Sequence, residues 1–441
     1  MMGTQDYDVI VVGGGTAGTV AAIQAGRLGA HTLLVEKNGM LGGTTTVAGV
    51  NFPGLFHAWG RQIIGGIGWE LVCRAAELSG QALPDFGDFH RPHWLLQVRV
   101  NPAVYAALAD EAVLAAGVEI LFHTMVAEVA AEVTRPHAGA PPQPPDTAAE
   151  RWRLTLCCKE GLRTVTGRVL LDCTGDANVV GLAGYARKQN AELQPGTIRI
   201  LLGGYDVEQL DMAALAAAYD RAVAAGELLP ADMGMRAHPV EKFLRNHGEN
   251  AIHITGIDGS TSAGKSDAEI KGRQALMRIY RFLRLQPALE QLTIDACAAE
   301  CGIRETNTIV GKQQITLADY TGGRLWEDAV SYSFYPIDVH RSDGDGIDIR
   351  PLAEGVFPTI PRGALLPVGS RNLMVAGRSA AGDKDANSAY RVQASCMGMG
   401  QAAGALAALA CRRNCDVEEV PIPELYDLLA EYGAIVPGTV R

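Results

Sequence analysis

The chain has 441 residues, with 38 Lys and Arg against 49 Asp and Glu, a formal charge of −11. At roughly 150 residues per domain this is room for two or three domains, or one large domain carrying an insert, with a core that needs no metal or disulfide staple. The acidic balance argues against a nucleic-acid binder, and no apolar run approaches the ~18 residues of a membrane span, the nearest being the shorter, Ala- and Gly-rich Met399 to Cys411.

Tyr7 to Val12 is a β-branched run suited to a buried parallel strand, and it ends at Gly13-Gly14-Gly15-Thr16-Ala17-Gly18. The alanine-rich stretch Thr19 to Leu28 reads as a helix stopped by Gly29. A second strand, Thr32 to Val35, closes with Glu36. Because Val9 to Val12 runs into the glycines and no basic segment precedes it, a signal peptide is not expected. Asn38 to Gly68 is dense in Gly and Thr and lacks periodicity, a long irregular stretch of the kind that usually serves function. Helices are expected from Trp69 to Leu78 and from Pro102 to Ala116, and a strand from Val118 to Phe122. Val126 to Val133, Arg151 to Cys158 and Leu162 to Leu171 alternate like a β-meander, interrupted by a Pro- and Ala-rich surface loop from Pro136 to Asp146. From about Arg187 to Leu366 the texture changes to longer helical stretches with more Arg and aromatics, which reads as an inserted domain. Asn372 to Ala376 is again a buried strand, followed by Gly377-Arg378 and a helix from Ala394 to Ala410 that returns to the first domain.

Nine cysteines are scattered without a framework, so the chain is expected to be reduced and cytoplasmic. The absence of Cys-x2-Cys and Cys-x4-Cys removes disulfide reductases from consideration.

Gly13-x-Gly15-x-x-Gly18 lies between a strand and a helix, with Glu36 ending the next strand. In that setting it is a dinucleotide-binding fingerprint: Gly13 permits the turn, Gly15 lets backbone approach a pyrophosphate, and Gly18 lets helix and strand pack closely. The helix start offers free N–H groups and a positive dipole end, and Glu36 accepts from ribose hydroxyls. The fingerprint leaves FAD and NAD open; three further segments favour a flavin. Leu41-Gly-Gly-Thr44-Thr45-Thr46 offers N–H groups and hydroxyls to a phosphate or flavin edge, and Asp172-x-Thr174-Gly175-Asp176 puts small residues and a carboxylate at a strand end. Gly400-Gln-Ala-Ala-Gly404 reads as opening a helix whose N-terminus stabilises a reduced isoalloxazine.

Together with Gln62 to Gly66, Leu171 to Ala177, Gly302-Ile-Arg-Glu-Thr306 with Ile309 to Gly311, Asn372 to Arg378 and Arg391 through Gly404, these segments make the sequence resemble the FAD-dependent oxidoreductases of the glutathione-reductase-like superfamily. It is most similar to a bacterial subgroup described only by that name. The resemblance implies an α/β fold: a discontinuous Rossmann-like FAD-binding domain (1–186 and 367–441; parallel sheet plus β-meander) with an inserted α+β substrate or cap domain (187–366). It implies FAD held by Gly13, Gly15, Thr16, Ala17, Gly18, Glu36, Lys37, Gly43, Thr44, Thr45, Val126, Thr174, Gly175, Asp176, Gly377, Arg378, Gln401, Ala402 and Ala403. One departure is Ser379 to Asp385, where relatives often carry a His- and Glu-rich loop, so their substrates do not transfer to this chain.

Three other patterns compete. Gly259-Ser-Thr-Ser-Ala-Gly264-Lys265-Ser266 fits the P-loop letter for letter, yet Ser266 and Glu269 also read as a capping box opening a helix from Asp267 to Leu285, the simpler account. Gly398-x-Gly400-x-x-Ala403 has no preceding strand and is assigned to the flavin. His90-x-x-His93 lacks further ligands nearby, and no metal is expected.

A dehydrogenase that removes a proton near neutral pH favours His. His57 is the first choice because it follows the Gly-Gly-Thr loop, and His340 is second. Arg304 is an ion-pair partner for Glu305 in a generic protein, but the resemblance raises it to a site residue. Arg391, with Tyr390, would orient an anionic or polyhydroxylated substrate, and Cys396 is a candidate flavin neighbour. The reading is an FAD-dependent dehydrogenase passing hydride from a polar small molecule to flavin N5. An oxidase, a monooxygenase or a non-catalytic flavoprotein are the alternatives. With no second nicotinamide fingerprint, electrons are expected to leave to quinone, another protein or oxygen.

Overall fold

The computed structural model describes residues 5–133, 150–234, 238–342 and 346–440. The Pro136 to Asp146 stretch read as a surface loop lies outside the described residues.

The β-branched run at the start forms strand β1, Gln5–Val12, with Val9, Ile10 and Val11 fully buried. Helix α1, Thr16–Arg27, follows, and strand β2, Thr32–Val35, pairs parallel to β1. Glu119–Leu121 extends the sheet beyond β2. On the other side of β1 runs the long strand Gly161–Asp172. It changes partners half-way: its first half closes an antiparallel meander with Glu150–Cys158 and Met125–Val133, and Leu170 to Asp172 pair parallel with Leu373–Val375. The α/β class and the meander are therefore as the alternation pattern predicts, and the chain's two ends share one sheet.

The helix at the C-terminal end runs from Gln393 to Arg413, longer than the predicted 394–410. It is long and apolar enough to cross a membrane, but most of it is buried in this fold. It lies against α1 at two points where only glycine fits: a Cβ at Gly400 would overlap the carbonyl of Ala17, and one at Gly404 that of Ala21. Gly400 to Gly404 thus sits in mid-helix. The expected helix opening there is corrected: Val392 caps the helix and Gln393 begins it, about two turns before Gly400, and no proline falls between them to break it.

The insert has its own three-stranded sheet, with Gly196–Gly203 between Gly248–Ile254 and Thr293–Cys297. Helices Met212–Ala224, Pro239–Arg245 and Ser262–Arg284 contribute buried side chains to its core, which spans Ile198 to Cys301. Ile309 through Leu366, which the sequence texture assigns to the insert, pack their apolar side chains into the larger core instead. Texture follows surface composition, whereas the boundary follows which core a side chain enters.

The capping box is also corrected. The helix starts at Ser262, four residues after Asp258, capped by Thr261, whose hydroxyl accepts from Gly264 N at 3.0 Å. Ser266 is already helical and donates to Ser262 O, while Glu269 accepts from Cys301 N.

Candidate active site

The carboxyl ends of the parallel strands open into a cavity of about 1980 Å³, lined by Val12, Val35, Cys173 and Ala376 among others. Open α/β sheets bind ligands at this edge. The volume exceeds the roughly 300–1,000 Å³ of an ordinary small-molecule site, so a dinucleotide and a second small molecule fit together.

The glycine loop is built as its spacing demands. Gly13 has φ of 100°, and a Cβ there would sit 2.5 Å from Cys173 O. A Cβ at Gly18 would overlap Gly13 O. Gly15 is different: a Cβ would meet nothing within 4 Å, so its backbone faces open cavity. Gly15 caps α1 without a side-chain hydrogen bond, and no acid lies in the first turn. The free N–H groups and the dipole are thus left for an anion. Thr16 and Ala17 line the cavity beside them.

Glu36 is buried and accepts from Gly14 N at 2.6 Å and Asn38 N at 2.8 Å. Burial raises its pKa, and the two backbone N–H groups oppose that. Lys37 also lines the cavity, with its ammonium paired to Glu300 of the insert. The Gly-Gly-Thr loop docks onto the first loop, since Gly42 N donates to Gly14 O at 2.8 Å and a Cβ on Gly43 would come within 2.9 Å of Gly15 Cα. Gly43, Thr44, Val126, Thr174, Gly175, Asp176, Gly377 and Arg378 line the cavity as expected.

Five expected cofactor contacts do not line it. Thr45 is buried and bonds Gln393. Gln401 is spent inside the helix packing: it accepts from Ile67 N and donates to Gln24 and Tyr432 O, with Ala402 and Ala403 fully buried beside it. The helix end that reaches the cavity is Val392–Gln393, which has no side-chain cap and no acid in its first turn, with Cys396 one turn on. Gly18 acts through packing alone. The cradle as a whole suits a dinucleotide: two uncapped helix starts, glycine where backbone must be bare, and a buried carboxylate at the far end.

The P-loop reading fails on its lysine. Lys265 donates to Cys301 O at 2.6 Å and pairs with Glu269 and Glu300, so it faces carboxylates where phosphates would sit.

His57 does not line the cavity. Its ring stacks on Phe86 at 3.7 Å and meets Trp69 edge-on, and burial lowers its pKa to about 4. This corrects the first choice of base: closeness in sequence to the Gly-rich loop is not closeness to the site. His340 lines the cavity with Asp338, Arg304, Arg391 and Tyr335. Asp338 and His340 are two apart on strand Ile337–His340 and so share a face. Asp338 Oδ2 lies 3.6 Å from His340 Nε2, and His340 Nδ1 is buried with no partner. Burial and then the charge of Arg304 bring His340 down to about 4. Burial alone would push Asp338 up, but His340 and the two arginines outweigh it and hold it at about 2.

Gln194, which no motif announces, ties these groups together. Its Oε1 accepts from His340 N and Arg391 Nη2, both at 3.1 Å, while its Nε2 donates to Glu305. Glu305 therefore serves Gln194 and Asn190 rather than pairing with Arg304, and Arg304 donates to Pro195 O at 2.7 Å. Thr306 and Arg378 both reach Asp176, joining the strand-end turn to the Arg-Glu-Thr segment. Asp172 is used up within its own turn, accepting from Thr174 and Val180.

A fold with a dinucleotide cradle at the strand ends and a polar, buried pocket beside it defines a nucleotide-cofactor redox enzyme. The chain belongs to the FAD dependent oxidoreductase family, whose model matches residues 8–429; its cofactor is FAD. Among curated relatives, dihydrolipoyl dehydrogenase of Caenorhabditis elegans mitochondria is 61% identical over 41 residues, 9% of this chain and 8% of that one. Dihydrolipoyl dehydrogenase of Trypanosoma brucei brucei is 55% identical over 53 residues, 12% and 11% of the two chains. The chain thus spans about a tenth of the length of these relatives. Two solved structures are similar over most of the chain. One is a geranylgeranyl bacteriochlorophyll reductase-like protein of Thermoplasma acidophilum, with TM-score 0.40, 14% identity, and 98% of this chain and 85% of that one covered. The other is p-nitrophenol 4-monooxygenase of Pseudomonas putida, with TM-score 0.38, 11% identity, and 97% and 84% covered. These likenesses are too loose to carry a functional reading.

Proposed function

We propose that this oxidoreductase is a dehydrogenase that takes a proton and a hydride from a polar small molecule carrying a hydroxyl or amino group. The observation that carries the reading is an uncharged imidazole, His340, lining the same cavity as the dinucleotide cradle. When bound, FAD supplies the two-electron acceptor. With its pKa near 4, His340 is neutral at pH 7 and so free to take up a proton. Asp338, on the Nε2 side, orients the ring and steadies the imidazolium that results. Tyr335, held by Gln97 at 2.9 Å, gives the pocket an aromatic wall. The residues that hold FAD are those named in the cradle.

Electrons leave to quinone, another protein or oxygen. This is supported by Gly398-x-Gly400-x-x-Ala403 lying inside a helix, where no turn is free to cradle a second dinucleotide. The compartment is the cytoplasm on this reading, supported by nine cysteines that are all free.

The test is an anaerobic screen of the yellow holoenzyme with sugars, polyols, hydroxy acids and amines. One class bleaches the flavin, NADPH does not, and His340→Gln slows bleaching about 100-fold at unchanged FAD content. Rapid bleaching by NADPH, or a His340→Gln rate equal to wild type, contradicts the proposal.

A further inference from the structure

We propose that Arg304 and Arg391 form an anion subsite for the carboxylate of the substrate, which makes the substrate a small organic acid. The inference rests on the dehydrogenase reading for its use of the site, but the binding claim stands apart from turnover.

Both guanidinium groups line the cavity and are brought together by Gln194–Pro195: Arg391 Nη2 donates to Gln194 Oε1, and Arg304 Nη1 to Pro195 O. Arg304 is only 9% exposed. Each group has more donors than acceptors. Arg391 Nη2 reaches only Gln194 and, at 3.4 Å, Asp338 O, while its Nε is buried with no partner. Neither arginine has a carboxylate within 4.0 Å among the described residues.

The neighbouring carboxylates are committed elsewhere. Asp176 is taken by Arg378 and Thr306, and Glu305 by Asn190 and Gln194. Asp338 acts on both arginines and Glu305 on Arg391 from a distance, and Asp338 also faces His340. Both guanidinium groups therefore face the pocket without a carboxylate within ion-pair reach among the described residues. An uncompensated buried charge is costly, and a planar carboxylate is the partner a guanidinium fork fits in two parallel bonds.

A consequence links this subsite to the base. After burial, Arg304 is the main influence holding the His340 pKa down. A carboxylate beside Arg304 cancels that charge, so His340 becomes a stronger base only when an acid is bound.

The experiment uses the FAD-loaded enzyme and probes that cannot be dehydrogenated: malonate, its neutral diamide, inorganic phosphate and sulfate. Binding is read by calorimetry and by perturbation of the flavin absorption band. Malonate is expected to bind at least 30-fold more tightly than malonamide and than either inorganic anion. Arg391→Met and Arg304→Met are each expected to lose at least 30-fold of malonate affinity, and Arg391→Lys less. The His340 ring resonances should titrate at higher pH with malonate present. Equal binding of malonate and malonamide, tighter binding of phosphate, or undiminished malonate affinity in both Met variants overturns the proposal. If a Met variant does not fold, the malonate-to-malonamide ratio in wild type and the Lys variant decide. Bleaching by neutral polyols without malonate binding sinks this inference alone. Malonate binding with no bleaching by any hydroxy or amino acid sustains the subsite and sinks the dehydrogenase reading instead.

Discussion

Gly404→Ala adds one methyl where the last long helix crosses α1. The new Cβ would overlap Ala21 O and stand 2.9 Å from its carbonyl carbon, inside the 3.0 Å that real Cβ atoms respect. Both obstacles are backbone, so no side chain can turn aside; the helices must part by on the order of 1 Å. Overpacking of this kind costs about 1–3 kcal/mol, against which alanine returns about 1 kcal/mol of helix propensity. The net expectation is a loss of up to about 2 kcal/mol. Gly400→Ala meets Ala17 in the same way, one turn nearer the uncapped start of α1, and should weaken FAD retention as well. Gly398→Ala is the control, because its Cβ would meet nothing nearer than Ser331 Cβ at 3.3 Å. It should cost less than either of the others, since Ser331 need give by only a few tenths of an ångström. Urea denaturation followed by circular dichroism, with flavin fluorescence reporting release, reads all three. Stabilities for Gly400→Ala and Gly404→Ala that match or exceed Gly398→Ala would refute the close-packing argument.

Glu36→Ala removes the acceptor of two buried backbone N–H groups, at Gly14 and Asn38, and should weaken FAD binding by roughly 2 kcal/mol, about 30-fold, in a fluorescence titration of apoprotein. His57→Phe keeps a flat ring against Phe86 and should leave the rate of flavin bleaching within about twofold of wild type, since His57 stands outside the cavity; a large loss would return His57 to the chemistry. Stability should fall as pH drops from about 6.5 to about 4. The folded His340 has the lower pKa, so only the unfolded chain takes the proton in that window, and above 6.5 neither state does. His57, also brought down to about 4, acts in the same window, so each histidine contributes at most about 3 kcal/mol and His340→Asn should remove about half of the slope of denaturant midpoint against pH.

The nucleotide end of this protein is legible in its sequence because each requirement there is local. A tight turn needs Gly13, a bare backbone needs Gly15, and both fall within one strand–helix joint. The chemical end is not local. Gln194 meets Arg391 across 197 positions, and a lone glutamine carries no pattern. Asp338 and His340 did carry one, two charged or polar residues on a single strand face, but its meaning depends on the cavity they line. His57 misleads because its surroundings, Phe86 and Trp69, arrive from beyond the Gly-rich stretch and seal it into an aromatic stack. The Gly400 to Gly404 run shows the converse error: glycines that suggest a helix opening onto the flavin serve helix–helix contact.

The partner change along Gly161–Asp172 bears on how the protein is made. Its first half can zip onto Glu150–Cys158 as soon as it emerges, but Leu170 waits for Leu373, 203 positions later. A ribosome adding about 5–20 residues per second leaves that bare β edge open for on the order of 10–40 s. During this interval Leu170 and Leu171, fully buried in the finished molecule, have no strand on that side to cover them. Nascent chains of this enzyme should therefore lean on holdase chaperones until the last seventy or so residues have been translated, and truncations short of Leu373 should aggregate rather than yield a smaller soluble flavoprotein.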